Sequence, residues 1–255
     1  MTGGSRIEHA ALTHEGRVRT NNEDAVAGRA EEGLFVVADG MGGHENGEWA
    51  SGAIADALRE LALPRDVDGA SLAVADALHR VNAVIFAEAE SRGLQMGSTV
   101  VALLIRDGRF AVLWVGDSRA YLLRDGQLIQ ITNDHTQVQE MIDRGLLAPA
   151  DAENHPMGHI LARAIGVHAT VEVDVVTDET EGGDAFLLCS DGLTARVEDG
   201  EIAAALADPD PEGRAAKLVA MTLERGAPDN VTVITVTVQP TTMLHLNQPV
   251  HMVTP

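Results

Sequence analysis

Asp39, Asp117, Asp191 and Asp229 each stand where a run of apolar residues meets a turn. Residues 34–38 run into Asp39-Gly40, 111–116 into Asp117-Ser118, and 185–190 into Asp191-Gly192, while Asp229-Asn230 launches 231–236. Apolar, β-branched runs of that length bounded by turn residues read as buried strands. A carboxylate at the lip of such a strand is held by the sheet while its head reaches solvent. Several of them converging on one point would repel unless a hard cation neutralised them. Oxygen-only ligand sets suit magnesium, manganese or calcium.

Asp-Gly alone is a turn, and Asp107-Gly108 and Asp125-Gly126 read as nothing more. Asp39 differs because its apolar run enters Gly40-Met41-Gly42-Gly43-His44 and then a helical pattern. Glycines there let the backbone approach a ligand closely, and the Gly40 carbonyl can face a cation. A strand-end aspartate in that place can bridge two metals, the arrangement that clamps phosphoryl transfer to water. Upstream lies Arg17-Val18-Arg19-Thr20-Asn21-Asn22-Glu23-Asp24. Arg17 reads as part of a solvated loop. Arg19 can offer a planar fork to a phosphate, a geometry lysine cannot copy. Glu23 and Asp24 would then stand near the metals and hold their water ligands.

The elements that position these groups follow from periodicity. Strands are expected near 8–14 and 34–39, joined by a polar segment, 15–33. A helix is expected over 45–63, with Ala50, Ile54, Ala57, Leu58 and Leu61 on one face and Pro64 as its stop. A second helix spans 69–91 on a stripe of Leu72, Ala75, Leu78, Val81, Ala83, Ile85 and Phe86. Strands 98–106, 109–115, 119–124 and 127–131 follow as an antiparallel meander, because turn pairs separate them. A short helix over 136–145 is capped by Asp134 or Thr136. Residues 146–166 are irregular; strands 171–176, 185–190 and 231–238 and helices 201–207 and 211–225 complete the chain. Strands in runs with helices in pairs argue an α+β fold with sheets between helix layers.

Taken in order, Arg19-x-x-x-Glu23-Asp24, Ala38-Asp39-Gly40-Met41-Gly42-Gly43-His44, Gly97-Ser98-Thr99, Val115-Gly116-Asp117-Ser118-Arg119, Ser190-Asp191-Gly192 and Asp229-Asn230-Val231-Thr232 resemble the motifs of the metal-dependent type 2C protein phosphatases, in their compact bacterial branch. The resemblance covers roughly 6–238. It implies a four-layer α-β-β-α sandwich, two mostly antiparallel sheets flanked by pairs of antiparallel helices. It divides the chain into a catalytic domain, 1–238, and a tail, 239–255, with a mobile flap at about 132–166. It implies that Asp39 bridges two Mn2+ or Mg2+ ions with the Gly40 carbonyl on one of them, and that Asp191 and Asp229 hold the other. Asp117 with Asp191 would take a third, weaker ion, and Arg19 would clamp the phosphate.

A metal-bridging water would then attack phosphorus in phosphoserine or phosphothreonine in line, with no phospho-enzyme. His44 is the candidate general acid for the leaving alkoxide, since an imidazole titrates in the useful range. The implied partners are phosphorylated Ser/Thr proteins and a cognate kinase whose action the enzyme reverses; the chain would act as a monomer. His159 departs from the family pattern, in which many relatives carry asparagine, so the resemblance leaves flap contacts and substrate preference open. With no cysteine nearby, the pair His155 and His159 makes a poor zinc site.

Composition sets the outer limits. The chain's 255 residues, 45% of them hydrophobic, suffice for a real core, built from aliphatic side chains because aromatics are only 3%. A net charge of −21 argues against nucleic acid as a partner. The single cysteine, Cys189, lies within an apolar run and fits a reducing cytoplasm. No signal-peptide pattern opens the chain, and no stretch of about eighteen uncharged apolar residues suggests a membrane span. Two rival readings remain: a phosphoprotein reader without turnover, and a phosphatase of small phosphate esters.

Overall fold

Aliphatic runs that are apolar at every position, rather than at alternate ones, require a sheet covered on both faces. The computed structural model, which describes residues 6–43, 45–152, 155–158 and 160–239, has that arrangement twice. One sheet orders β1 (Ile7–His14), β11 (Val231–Val238), β10 (Ala185–Cys189), β7 (Arg119–Arg124) and β8 (Gln127–Gln130). The other orders β2 (Asp24–Arg29), β3 (Leu34–Met41), β5 (Val100–Arg106), β6 (Arg109–Val115) and β9 (Asp174–Glu179), with β4 (Gly97–Ser98) against β3. Every pairing is antiparallel.

Three apolar layers follow from strand alternation. Phe35, Val37, Val101, Leu103, Phe186, Leu188, Ile234 and Val236 fill the space between the sheets. Phe110 and Phe186 meet there edge to face, 5.0 Å apart. Their neighbours Leu34, Val36, Val100, Ala102 and Leu104 face α1 (Glu45–Arg59) and α2 (Val67–Arg92). Leu187, Cys189, Val231 and Val233 face α3 (Asp191–Thr194), α4 (Asp199–Leu206) and α5 (Pro211–Glu224). The α-β-β-α sandwich expected from the sequence is therefore the fold. By length and composition α2 could cross a membrane, yet its stripe of Ala70, Val74, Leu78, Val81 and Ile85 is buried in this core.

The structure corrects several expectations. The segment 15–33, expected to be a polar connection, contains β2, whose small residues at a sheet edge give no apolar run. Asp117-Ser118 does not close a hairpin: β6 belongs to one sheet and β7 to the other, so the chain crosses between sheets there. The two remaining Asp-Gly pairs do turn hairpins, with Asp107 and Asp125 at φ 49° and 51°, the left-handed values a type I′ turn demands. The strand expected over 98–106 is broken at Thr99. β9 begins at Asp174 rather than 171 because its register is set by pairing with β6. α1 ends at Arg59, four residues short of the expected 63. The buried face of α2 is rotated from the expected stripe: Leu72 is 70% exposed, and Ala70, Ser71, Ala77 and Asn82 point inward instead. The tail beyond 239 lies outside the described residues.

The topology also decides where strand ends meet. β2 and β3 are antiparallel and place Asp24 opposite Asp39. β3 and β6 both pair antiparallel with β5, so they run the same way, and Asp39 and Gly116-Asp117 leave the sheet at one end. β10 delivers Ser190-Asp191 beside the start of β11 and the start of β7. One mouth of the sandwich thus collects all four strand-end aspartates.

Candidate metal centre

Hydrogen bonds from short polar side chains lock these strand ends together. The Thr99 hydroxyl accepts from the Asp39 amide at 3.1 Å and pairs with the Ser118 hydroxyl at 2.7 Å, tying the Asp39 and Asp117 loops to each other. Ser190 Oγ donates to Asp24 Oδ2 at 2.8 Å and accepts from the Thr232 amide at 3.0 Å. The Asn230 side chain donates to the carbonyls of Glu15 (3.0 Å) and Asn21 (2.9 Å) and accepts from the Glu23 amide (2.8 Å). That one amide fastens the Arg19 loop to the start of β11. The Glu23 carbonyl accepts from the Gly40 amide at 3.1 Å and the Ser51 hydroxyl at 2.6 Å. Two glycines let α1 come this close, since a Cβ on Gly40 would collide with the Gly47 carbonyl and one on Gly47 with the Glu23 carboxylate.

So many acids at one mouth perturb one another. Asp39 is held well above the ordinary carboxylate range, first by burial and then by the charges of Asp24, Asp191, Asp117 and Asp229. Burial pushes Asp24 up to about 7, against hydrogen bonds from Thr232 and Ser190, with Asp191 and Asp229 adding to the rise. Asp117 is pushed up to about 7 as well, by burial, Asp191 and Asp134. Asp24 Oδ1 is buried and lacks a hydrogen-bond partner. Among the described residues, no group of three His, Cys, Asp or Glu side chains closes as a ready-made cage. An open cluster of oxygen donors dense in negative charge suits Mg2+ or Mn2+, which keep several waters of their own.

Each residue singled out in the sequence can now be located. Asp39, Gly40, Asp24, Asp117, Asp191 and Asp229 share the mouth, Asp39 feeling the other four aspartates electrostatically. Arg19 reaches it too, donating from Nη2 to Asp229 Oδ2 at 2.8 Å. Glu23 lies against Gly40 and Gly47. His44 and His159 fall outside the described residues. His155 accepts from the Met157 amide at 3.2 Å, a local turn contact. Buried Cys189, its thiol pushed up to about 12, is no nucleophile. Sequence reasoning gave no role to Thr99, Ser190 or the Asn230 side chain, although all three sit inside the quoted motifs.

Comparison with known proteins identifies the family. The profile described as Protein phosphatase 2C matches residues 13–221. The chain belongs to the protein phosphatase 2C family. Among type 2C relatives, the serine/threonine protein phosphatase PstP of Mycobacterium tuberculosis is 42% identical over 231 residues, 89% of this chain and 44% of PstP. The chain therefore spans less than half of that relative's length. Among solved type 2C structures, PppA, described as a key regulatory component of T6SS in Pseudomonas aeruginosa, superposes with a TM-score of 0.85 at 40% identity, covering 91% of this chain and 98% of PppA. The catalytic domain of PstP in complex with 2 manganese ions superposes at 0.81 with 39% identity, covering 91% and 98% of the two chains.

Proposed function

We propose that this chain is a metal-dependent protein phosphatase that hydrolyses phosphoserine and phosphothreonine by direct attack of water. The electrostatic coupling of Asp39 to Asp24, Asp117, Asp191 and Asp229 carries the reading. Buried acids facing one another raise the free energy of the metal-free protein, and divalent ions relieve that cost. In this reading Asp39 and the Gly40 carbonyl, with Asp191 and Asp229, hold two Mn2+ or Mg2+ ions, and Asp117 with Asp191 a third. When bound, such ions supply charge compensation at the phosphoryl oxygens and a water of lowered pKa.

The remaining steps belong to this chain's own side chains. Arg19 pairs with Asp229 through Nη2, and the rest of its fork is available to phosphoryl oxygens. Asp24 and Glu23 orient water at the mouth. His44 would protonate the leaving alkoxide. The manganese in the PstP catalytic domain and the names of the relatives support both the ion and the substrate class. Residues 1–238 form the catalytic domain, acting as a monomer in the cytoplasm on the products of a cognate Ser/Thr kinase.

Phosphate release from a phosphothreonine peptide, across a series of Mn2+, Mg2+ and Ca2+ concentrations, tests the reading, with sugar phosphates in parallel. Turnover of the peptide that needs Mn2+ or Mg2+ and vanishes in Asp39→Asn is the expected result. Undiminished hydrolysis in excess chelator, or preference for the sugar phosphate, overturns it.

A further inference from the structure

His135 lies 8% exposed beneath the mouth, and the mechanism above gives it no part. Its ring stacks on Trp114 with centroids 5.9 Å apart and planes 22° from parallel. Nδ1 accepts from the Gly116 amide at 3.0 Å, and the His135 amide in turn donates to the Gly116 carbonyl at 3.0 Å. Nδ1 therefore carries no proton, and in the neutral ring the proton sits on Nε2. Nε2 faces Asp174 Oδ2 at 3.3 Å, and Arg163 binds Oδ1 of the same carboxylate at 2.7 Å. The His135 carbonyl accepts from the Ala162 amide at 2.8 Å.

These contacts join four segments that are distant in sequence. Gly116 immediately precedes Asp117, and its φ of 106° belongs to glycine. A Cβ added to it would collide with the Thr99 side chain, so no larger residue fits there. His135 binds the same residue twice, accepting from its amide at Nδ1 and donating from its own amide to its carbonyl. The 133–136 and 160–163 stretches are the two stems of the segment expected to form the flap, and they are zipped by the Thr136–Leu161 bridge and by Gln137 N–H to the Ile160 carbonyl at 2.9 Å. Asp174 opens β9.

We propose that His135 is a positioning residue that, through its Nδ1 bond to Gly116, fixes Asp117 for cation binding beside Asp191 and ties that subsite to the flap stems. The inference rests on the reading of Asp117 as a ligand of the third, weaker ion. Partners of this kind typically change metal affinity by about 10- to 100-fold when removed.

The test is the Mn2+ binding isotherm, read from the electron paramagnetic resonance of free Mn2+, for the unaltered protein, Asp117→Asn, His135→Phe and His135→Asn. Phenylalanine keeps the stack on Trp114 but has no acceptor; asparagine restores an acceptor near the place of Nδ1. The expected result is that Asp117→Asn abolishes the weakest binding step. His135→Phe weakens that step about tenfold or more while the tighter steps hold, and His135→Asn recovers it. If Asp117→Asn removes the step but His135→Phe leaves it unchanged, the ligand reading stands and the positioning role falls. If both histidine variants weaken it equally, the Nδ1 bond is not the cause and the proposal also falls. No effect of Asp117→Asn removes the ligand reading and the inference with it. Should His135→Phe not fold, the ring nitrogens of the unaltered protein decide: long-range proton–nitrogen spectra should show Nδ1 bare and Nε2 protonated, and a proton on Nδ1 overturns the proposal.

Discussion

Ser190 Oγ donates to Asp24 Oδ2 at 2.8 Å, across the seam where the two sheets meet at the acidic mouth. Ser190 follows β10 of one sheet and Asp24 opens β2 of the other, so this bond spans the sandwich just where its charge is densest. It lowers the cost of ionising Asp24 but does not cancel it, because burial and two further aspartates still push that carboxyl up to about 7.

A pH dependence follows, with a definite sign. In the unfolded chain these aspartates titrate near 3.9. In the folded, metal-free protein Asp24 and Asp117 hold their protons to about 7 and Asp39 is also raised, so the native state binds more protons between those limits. Stability of the metal-free protein therefore falls as pH rises through that window, by roughly 4 kcal/mol for Asp24 taken alone. Calorimetry in chelator should show Tm at pH 7.5 several degrees below that at pH 5, and saturating Mn2+ should raise Tm far more at pH 7.5. A Tm that climbs with pH in chelator would contradict the arrangement of charges.

Removing one charge separates stability from chemistry. Asp39→Asn relieves repulsion from four aspartates, so the metal-free variant should melt above the unaltered protein at pH 7.5, by roughly 1–3 kcal/mol of stability. The same substitution should lower phosphopeptide turnover by about a thousandfold or more, since it weakens the proposed bridging ligand. Both are read on one preparation, by thermal melting and by phosphate release. A variant that is destabilised and inactive together would instead mean that Asp39 supports the fold.

What the sequence disclosed and what it hid have physical causes. Strands such as 34–38 and 185–189 were legible because both faces are buried, which turns them into unbroken aliphatic runs. Because carboxylates stand at the ends of those runs, the meeting of Asp39, Asp117, Asp191 and Asp229 could be expected too. β2 was hidden because Asp24-Ala25-Val26-Ala27-Gly28-Arg29 is small, partly exposed and at a sheet edge. Asp117-Ser118 imitated a hairpin because turn chemistry is local, whereas the choice of sheet for β7 is made by pairing with β10, far along the chain. The links through His135 were equally invisible, since Gly116, Arg163 and Asp174 lie 19, 28 and 39 residues away.

Asn230 concentrates three hydrogen bonds in one buried amide. Asn230→Ala leaves the Glu15 and Asn21 carbonyls and the Glu23 amide without it, which should cost about 2–4 kcal/mol. The loop that carries Arg19 loses its anchor at the same time. The expected signature is a lower Tm together with a KM for phosphopeptide raised several-fold more than kcat falls. Equal loss in kcat and kcat/KM would show that the loop keeps its place without Asn230.

Gly47 and Gly52 offer a matched pair within α1. On helix propensity alone, alanine at either position should stabilise by about 0.5–1 kcal/mol. At Gly52 a Cβ meets nothing within 4 Å, so Gly52→Ala should gain that increment and leave activity intact. At Gly47 the added carbon runs into the Glu23 carboxylate and lies 2.9 Å from the Gly40 carbonyl carbon. Gly47→Ala must push α1 away from the mouth or displace Glu23 and Gly40, and should lose about 1–3 kcal/mol despite its propensity gain. Apparent Mn2+ affinity should drop with it, because the Gly40 carbonyl is one of the proposed ligands. Urea melts and Mn2+ titrations of the two variants, side by side, check the contrast; a Gly47→Ala protein as stable as Gly52→Ala, with unchanged Mn2+ binding, would show that the close approach of α1 to Glu23 does not matter.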